Sequence, residues 1–141
     1  MRRWLWVTLP ETWAYQDLSL RTEVVWSCDK DTRRGDVSLL YRAEAAMDFS
    51  HLFKARSDAY EDEDLAAEWD LDWWCRAEVV CELRQPISLG AVRQEPRLSA
   101  WIAAQLNFHG SAFPIEPAEW RALLGLASPV DRPCLRSAGG S

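Results

Sequence analysis

The hydrophobic residues of this chain recur in short blocks separated by turn-forming and charged residues. The first block, Arg3–Thr8, is aromatic and β-branched and ends shortly before Pro10, as a β-strand closed by proline does. The block Val37–Arg42 has a doubly apolar centre, which indicates a strand buried on both faces. Similar patterns predict strands at residues 23–26, 50–57, 73–83, where the strand ends before Pro86, and 112–115, where proline favours a sheet edge.

The helical patterns are short and lie between these strands. They are predicted at residues 11–18, around 65–69, after a capping Ser88, at 96–106 and at 116–124. The regular strand–helix alternation of a doubly wound sheet is missing from the pattern. We therefore predict an α+β fold for residues 1–126: a small, mixed, strongly curved β-sheet or barrel with short peripheral helices. Residues 127–141 are mostly small or polar and are predicted to form a flexible C-terminal tail.

Composition is that of an ordinary globular protein. The 141 residues suffice for one domain, with 48% hydrophobic and 27% charged residues. No apolar run approaches the roughly 20 residues of a membrane span, so we expect a cytoplasmic protein. The cysteines form no C-x-x-C pair, and we expect all four to be reduced thiols. They are Cys28, Cys75, Cys81 and Cys134.

The charges are unevenly distributed along the chain. The net charge of −6 argues against a protein that holds duplex DNA by general electrostatics. Residues 58–84, however, hold ten acidic and two basic residues, whereas residues 1–57 hold eight acidic and nine basic ones. The acidic run at 61–64 lacks the spaced ligands and the glycine of a calcium loop. We interpret it as a solvated charge run and predict no metal site.

Trp26 is the aromatic residue that most suggests a ligand contact. It ends a short strand and is followed at once by Ser27 and Cys28, and chain segments that leave a sheet often face a ligand. A basic cluster comes next, which suits phosphate binding beside an aromatic ring that stacks on a base. The cluster consists of Lys30, Arg33 and Arg34. Core packing of Trp26 and a solvated basic loop are the alternatives.

Two further positions are candidate pocket walls. Trp73 and Trp74 begin a strand and therefore place one indole on each face, so that one can pack in the core and the other can reach a cleft. Phe108 and His109 precede Gly110, where the backbone can approach a ligand closely. A helix C-cap explains that glycine equally well.

Sequence signatures of catalysis are missing. The chain contains no nucleophile elbow, no zinc-protease helix, no phosphate-binding loop and no glycine-rich dinucleotide motif. Its two histidines, His51 and His109, leave few groups for acid–base chemistry. We therefore predict a binding protein rather than an enzyme, with no cofactor.

Several of these segments stand in a familiar order and spacing. They are Arg3-Trp4-Leu5-Trp6-Val7 followed by Trp13, then Val25-Trp26-Ser27, Arg34-Gly35-Asp36 before Val37-Ser38-Leu39-Leu40-Tyr41, and Ile115-Glu116-Pro117-Ala118-Glu119-Trp120. Together they resemble the EVE domain of the PUA-like superfamily, a relative of YTH domains, over roughly residues 3–125. The resemblance implies a small mixed barrel with an aromatic cage that receives a flipped, often modified, base of DNA or RNA. The family occurs in prokaryotes, alone or fused to nucleases, so a nuclease or other effector is an expected partner.

The resemblance also implies roles for individual residues. Trp26 would be one wall of the pocket. Ser27 and the Cys28 amide would meet the edge of the base. Phe108 and His109 would form the opposite rim.

Three other functions stay open at this point, and one of them is a scaffold that binds another protein through an exposed aromatic patch. A small-molecule or nucleotide-metabolite pocket would use the same aromatic wall without a phosphate track. An enzyme acting on a nucleobase or nucleotide would use His109 with Cys28 or Asp29.

Overall fold

A computed structural model describes residues 1–10, 16–101 and 112–140 of the chain. The strands are β1 (Arg3–Thr8), β2 (Glu23–Ser27), β3 (Val37–Arg42), β4 (Asp48–Ala55), β5 (Tyr60–Glu61), β6 (Trp73–Ser88) and β7 (Ala112–Pro114). The helices are α1 (Glu63–Trp69), α2 (Leu89–Gln94), α3 (Pro117–Leu126) and α4 (Arg132–Gly139). Residues 11–15 of the predicted helix at 11–18 and residues 102–106 of the one at 96–106 fall outside the described residues. None of the described helices is long and apolar enough to cross a membrane.

The strands form one mixed sheet in the order β2-β6-β4-β3-β1-β7, and β5 pairs with β6 on the edge opposite β2, beyond the end of β4. The β1–β3 pair is parallel, and the other pairs are antiparallel. Register shifts interrupt the β3–β4 and β4–β6 pairs. Such bulges bend a strand and increase its twist, and the sheet curls into a half-barrel. The predicted α+β fold with a strongly curved sheet and short helices is confirmed.

Strand β1 shows how the sheet separates two hydrophobic clusters. Successive side chains of a strand point to opposite faces. Leu5 and Val7 belong to one cluster, which we call the helical-side core because α2, α3 and α4 contribute to it. Trp4 and Trp6 belong to the other, which we call the tryptophan core. Both faces of β1 are therefore buried.

Strand β6 is longer than predicted, because it continues through Pro86 to Ser88. Residues 83–86 lie in an irregularity of the β4–β6 register, where proline removes no ladder hydrogen bond. The backbone amides of Arg84 and Gln85 donate to the buried carboxylate of Asp131, at 2.8 and 2.9 Å, rather than to a neighbouring strand. The predicted end of the strand was wrong because this partner lies 46 residues away in sequence.

The predicted flexible tail is replaced by helix α4. Its residue Leu135 is buried in the helical-side core. The Trp120 indole N–H donates to the Gly140 carbonyl at 2.9 Å, and Arg3 on β1 donates to the Gly139 carbonyl at 2.6 Å. The Trp120 ring lies so close to Gly139 that a side chain at that position would overlap it. The small residues of this segment therefore allow close packing. Composition alone does not show this, because flexible tails are rich in the same small residues.

The expectation of four reduced cysteines is also corrected. Cys81 on β6 and Cys134 on α4 are joined in a disulfide. Cys28 and Cys75 are free thiols. The disulfide links two segments that are 53 residues apart in sequence, so no local cysteine spacing indicates it.

Candidate functional site

An open cavity of about 420 Å³ lies beside the end of β2. This is within the range of roughly 300–1,000 Å³ that is usual for small-molecule sites. The loop after β2 forms one wall, and the segment between α1 and β6 forms the other. The lining residues are Ser27, Cys28, Asp29, Lys30, Asp70, Leu71, Asp72, Trp73 and Ala112.

The first wall is held in place by hydrogen bonds within its loop and to β1. The Cys28 amide donates to the Trp73 carbonyl at 3.0 Å, which extends the β2–β6 pairing into the cavity. The buried carboxylate of Asp36 accepts from the Trp4 indole at 3.1 Å and from the Arg33 amide at 3.0 Å. The turn before β3 therefore anchors the loop, since the carboxylate of Asp36 joins it to Trp4 of the tryptophan core.

The second wall is set by the end of helix α1. Asp70 has a left-handed backbone conformation (φ 58°), and its amide donates to the Ala66 carbonyl at 2.9 Å. The Trp74 indole N–H then donates to the Leu71 carbonyl at 2.8 Å. Trp74 is buried while Trp73 is partly exposed and lines the cavity. This is the division of roles that the alternation of a strand predicts for two adjacent tryptophans.

The charges around the cavity are mostly negative. Asp29, Asp70 and Asp72 line it together with a single basic residue, Lys30. One oxygen of Asp29 accepts from the Asp31 amide at 2.8 Å. Within the described part of the chain, no group of three or more metal-ligating side chains is arranged to hold a metal ion. The cavity thus offers hydrogen-bond acceptors more than anion-binding groups.

Cys28 is the nucleophilic group of the cavity wall. Its pKa lies below that of an ordinary thiol, chiefly because the Cys75 thiol donates a hydrogen bond to its sulfur and also because of the Thr32 hydroxyl. The pKa of Cys75 is raised by the same hydrogen bond and by burial. Cys75 is therefore the donor of this pair and Cys28 the acceptor.

Trp26 lies beneath the cavity and does not line it. Its side chain is only 6% exposed and stacks parallel to Trp6, with ring centroids 6.0 Å apart. Phe53 packs at a tilt against both rings, at 5.2 and 5.6 Å. Trp26 is thus part of the tryptophan core, and its contact with a base stays a prediction.

The basic cluster is divided by the structure. Lys30 is exposed and lines the cavity. The Arg33 guanidinium instead donates to the carbonyls of Lys30 and Thr32, at 3.3 and 3.1 Å. Arg34 is exposed and does not line the cavity, and its backbone amide donates to the Asp58 carboxylate at 2.9 Å. Phosphate binding by the three residues stays a prediction.

The remaining site predictions divide into three groups. Ser27, Cys28 and Trp73 are brought together in the cavity wall. Phe108 and His109 lie outside the described residues. The segment Asp70–Leu71–Asp72 was missed because it lies within the acidic stretch of residues 58–84 and carries no motif of its own. The change from helical to extended pattern between Trp69 and Trp73 was the signal that a turn lies there.

Comparison with known proteins identifies the fold. The solved structure of Rpa0253 from Rhodopseudomonas palustris is 19% identical, with a TM-score of 0.72, over 90% of this chain and 93% of that one. Atu2648 from Agrobacterium tumefaciens is 23% identical, with a TM-score of 0.68, over 92% and 97%. Human THYN1, solved in complex with DNA containing 5-methylcytosine, is 13% identical, with a TM-score of 0.67, over 89% and 97%. Comparison with curated protein sequences gives no match. The EVE domain model matches residues 2–126, and the chain therefore belongs to the EVE domain family.

Proposed function

We propose that this protein is a nucleic-acid-binding module whose cavity receives a single, preferably modified, base. The observation that carries the proposal is the partly exposed Trp73 indole, which forms a wall of the cavity opposite the polar loop that begins at Ser27. Stacking of a base on an aromatic side chain contributes about 1–3 kcal/mol. This can offset much of the few kcal/mol needed to extrude a base from a duplex. The similar fold of human THYN1, solved with DNA containing 5-methylcytosine, supports the assignment.

The carboxylates of the cavity favour bases that carry an exocyclic amino group. Asp29, Asp70 and Asp72 accept hydrogen bonds, and the amino groups of cytosine and adenine donate them. Thymine and uracil present a carbonyl at that position. A methyl group on the base adds apolar area to the contact with Trp73. We therefore expect a methylated cytosine or adenine to bind better than thymine or uracil.

Fluorescence anisotropy with matched oligonucleotides tests this function. The strands carry cytosine, 5-methylcytosine, N6-methyladenine or thymine at one position, in single-stranded and duplex form. We expect at least one of the methylated bases to bind best and Trp73→Ala to weaken it about tenfold or more, because tenfold corresponds to about 1.4 kcal/mol. Trp69→Ala is the matched control, since that indole is exposed on α1 and does not line the cavity.

Two results of this assay would contradict the proposal. Equal affinity of wild type and Trp73→Ala for every oligonucleotide would rule out the cavity as the base site. Equal affinity for modified and unmodified strands would reject the preference for a modified base and leave nucleic-acid binding as the function.

A small-molecule or nucleotide-metabolite site is the second candidate. The mostly negative lining and the absence of Arg33 and Arg34 from it favour this reading, because a phosphate track needs cations. Reversing Lys30, Arg33 and Arg34 to Glu separates the two functions. A nucleic-acid binder should lose affinity for the oligonucleotide and lose part of its salt dependence. A metabolite site should keep its affinity for the free nucleoside, measured by calorimetry.

We propose binding without catalysis. Membership of the EVE family favours this role, and the enzymatic alternative relies on His109, which lies outside the described residues. A nuclease or other effector as partner, and a cytoplasmic location, stay predictions. Co-purification with an added effector domain, with and without modified DNA, would test the partner.

A further inference from the structure

The cavity carries an excess of negative charge. Its lining includes the carboxylates of Asp29, Asp70 and Asp72 and the single ammonium group of Lys30. None of the ion pairs found within the described residues includes one of these three carboxylates. The guanidinium of Arg33, on the same loop as Asp29, donates instead to two backbone carbonyls of that loop. A ligand that enters the cavity therefore meets more negative than positive charge.

The fold holds two of these carboxylates in the cavity wall. Asp70 is fixed by its left-handed conformation (φ 58°) and by the hydrogen bond from its amide to the Ala66 carbonyl, at 2.9 Å. The next carbonyl, that of Leu71, accepts from the buried Trp74 indole at 2.8 Å. Asp70 and Asp72 flank this anchored residue, and both are exposed. Their position is thus set by the backbone and not by ion pairs of their own.

The aromatic wall of the same cavity can also attract a cation. Trp73 lies two positions before Cys75, whose side chain belongs to the tryptophan core, so strand alternation places the Trp73 indole on that face of β6. The residue is partly exposed and lines the cavity. The face of an indole ring is negative and attracts positive charge. The carboxylates and the indole of Trp73 therefore favour the same kind of ligand, a flat cation.

The arrangement of the carboxylates does not suit a metal ion. Among residues 1–10, 16–101 and 112–140, no group of three or more metal-ligating side chains is placed to hold one. Asp29, Asp70 and Asp72 thus surround a cavity of about 420 Å³ without converging on one point. Such a spread of negative charge is better matched by a positive charge that is delocalised over an organic ring.

We propose that the cavity prefers methylated bases whose ring is positively charged, such as N1-methyladenine and N3-methylcytosine. This preference rests on the proposed function and names the chemical class of its ligand. Methylation of these ring nitrogens gives the base a positive charge, which the exocyclic amino group shares. Its N–H groups then donate charge-assisted hydrogen bonds to carboxylates. The neutral isomers N6-methyladenine and 5-methylcytosine have the methyl group but not the charge.

The same methyl groups make the base easier to extrude. N1 of adenine and N3 of cytosine accept a hydrogen bond in Watson–Crick pairs, so a methyl group on either atom blocks pairing. Extrusion costs least for a base that is mismatched or damaged. The positive charge also reduces the repulsion between the nucleic acid and a protein of net charge −6. Extrusion and binding in the cavity therefore favour the same bases.

Calorimetry with free nucleosides tests the preference without the contribution of phosphates. The wild-type protein is titrated at neutral pH with 1-methyladenosine and its neutral isomer N6-methyladenosine, and with 3-methylcytidine and its neutral isomer 5-methylcytidine. We expect the cationic member of each pair to bind about tenfold more tightly, and this ratio to fall as salt is added. Equal or weaker binding of both cationic nucleosides would overturn the proposal.

A pair of double variants tests whether the carboxylates of the cavity cause the preference. Asp70→Asn/Asp72→Asn removes two charges and keeps the side-chain shape, and asparagine also adopts the left-handed conformation of residue 70. The ratio of cationic to neutral affinity should fall about threefold or more, while the affinity for N6-methyladenosine changes less than about twofold.

Asp64→Asn/Glu68→Gln is the matched control, because it removes two exposed carboxylates of α1 that do not line the cavity. It should keep the wild-type ratio. The same fall in both double variants would assign the preference to the overall charge of the protein and would overturn the role of the cavity.

Fluorescence anisotropy with single-stranded oligonucleotides extends the test to nucleic acid. DNA and RNA strands carry N1-methyladenine or N6-methyladenine at one position. Tighter binding of the N1-methylated strand, in either sugar form, supports the proposal and identifies the nucleic acid. Equal affinity for the two methylated strands overturns the charge preference and leaves the proposed function in place. If the protein binds neither nucleosides nor oligonucleotides, the proposed function fails and the preference fails with it.

Discussion

The two faces of the sheet have different tasks, although both are built from large apolar side chains. On the helical side, α3 and α4 cover Leu5 and Val7 of β1. On the other side, Trp4 and Trp6 of the same strand belong to the tryptophan core, and the cavity opens at the edge of that core. An aromatic-rich face is therefore not by itself a binding site. The proposed site lies where one aromatic residue, Trp73, is left partly exposed beside the cavity.

The helical side is sealed by contacts from the end of the chain. Trp120 is 1% exposed, packs against Gly139 and donates to the Gly140 carbonyl. The Asp131 carboxylate satisfies the irregular part of β6, and the disulfide ties α4 to the same strand. Each of these contacts joins residues far apart in sequence, so this face contributes stability.

The cavity side carries polar groups that do not improve packing. The residues of the wall between Ser27 and Lys30 leave the sheet, and Asp70 and Asp72 are exposed. Three carboxylates around one cavity repel each other and therefore do not stabilise the folded state. Such a cost is expected where residues serve binding.

The largest effect that separates the two faces should follow from Trp120→Ala. Removing a fully buried indole costs about 3–5 kcal/mol of unfolding free energy. Urea denaturation measures this loss, while the affinity of the folded fraction for its ligand should not change. Trp73→Ala should show the reverse, with weak binding and a much smaller loss of stability. If Trp73→Ala lowered the unfolding free energy as much as Trp120→Ala, the two faces would not differ in their contribution to stability.

Loss of the disulfide should be the next largest effect. A crosslink between Cys81 and Cys134 restricts the unfolded chain, and its reduction should lower the unfolding free energy by about 2–4 kcal/mol. Denaturation with and without a reducing agent measures the difference. The double variant Cys81→Ala/Cys134→Ala is the control and should not respond to the reducing agent. Identical curves for reduced and oxidised wild type would show that α4 is held without the crosslink.

The smallest effect concerns His51 on β4. Burial lowers the pKa of its imidazole below the usual 6.5, and the charge of Arg42 lowers it further, against the opposing carboxylates of Glu82 and Asp48. The unfolded chain therefore binds a proton at a higher pH than the folded one. The stability that His51 contributes is complete above pH 6.5 and is lost as the pH falls through 6.5 toward the lower folded value.

Denaturation of wild type and His51→Gln on both sides of pH 6.5 checks this direction. We expect acidification to destabilise the wild type more than the variant. The same pH dependence in both proteins would contradict the burial of a neutral imidazole. Ligand binding should be unaffected, since His51 does not line the cavity.

The sequence predicted the elements that local patterns determine. The strand Val37–Arg42 follows from its apolar pattern, and the helix after Ser88 follows from a side chain that accepts from the Ala91 amide. The division between Trp73 and Trp74 follows from strand alternation. Each of these signals lies within a few residues of its effect, which is why a pattern reveals it.

The sequence did not predict what distant residues determine. Strand β6 continues through Pro86 because the Asp131 carboxylate accepts from the neighbouring amides. Helix α4 forms at residues 132–139 because its Leu135 packs in the same core as Trp120 and Leu5. The burial of Trp26 likewise depends on Trp6 and Phe53, which reach it from two other strands. The cavity was only half predicted, since its second wall comes from a segment more than 40 residues further along the chain.

Two-dimensional NMR of the nine tryptophan indole N–H groups, titrated with 5-methylcytidine, tests the difference between the two faces most directly. Signals are assigned with Trp73→Phe and Trp120→Phe. We expect the Trp73 signal to move most and the Trp120 signal, whose N–H donates to the Gly140 carbonyl on the helical side, to stay in place. The largest shift at Trp120, or saturating binding of the nucleoside with no shift at Trp73, would contradict the assignment of the cavity side to binding.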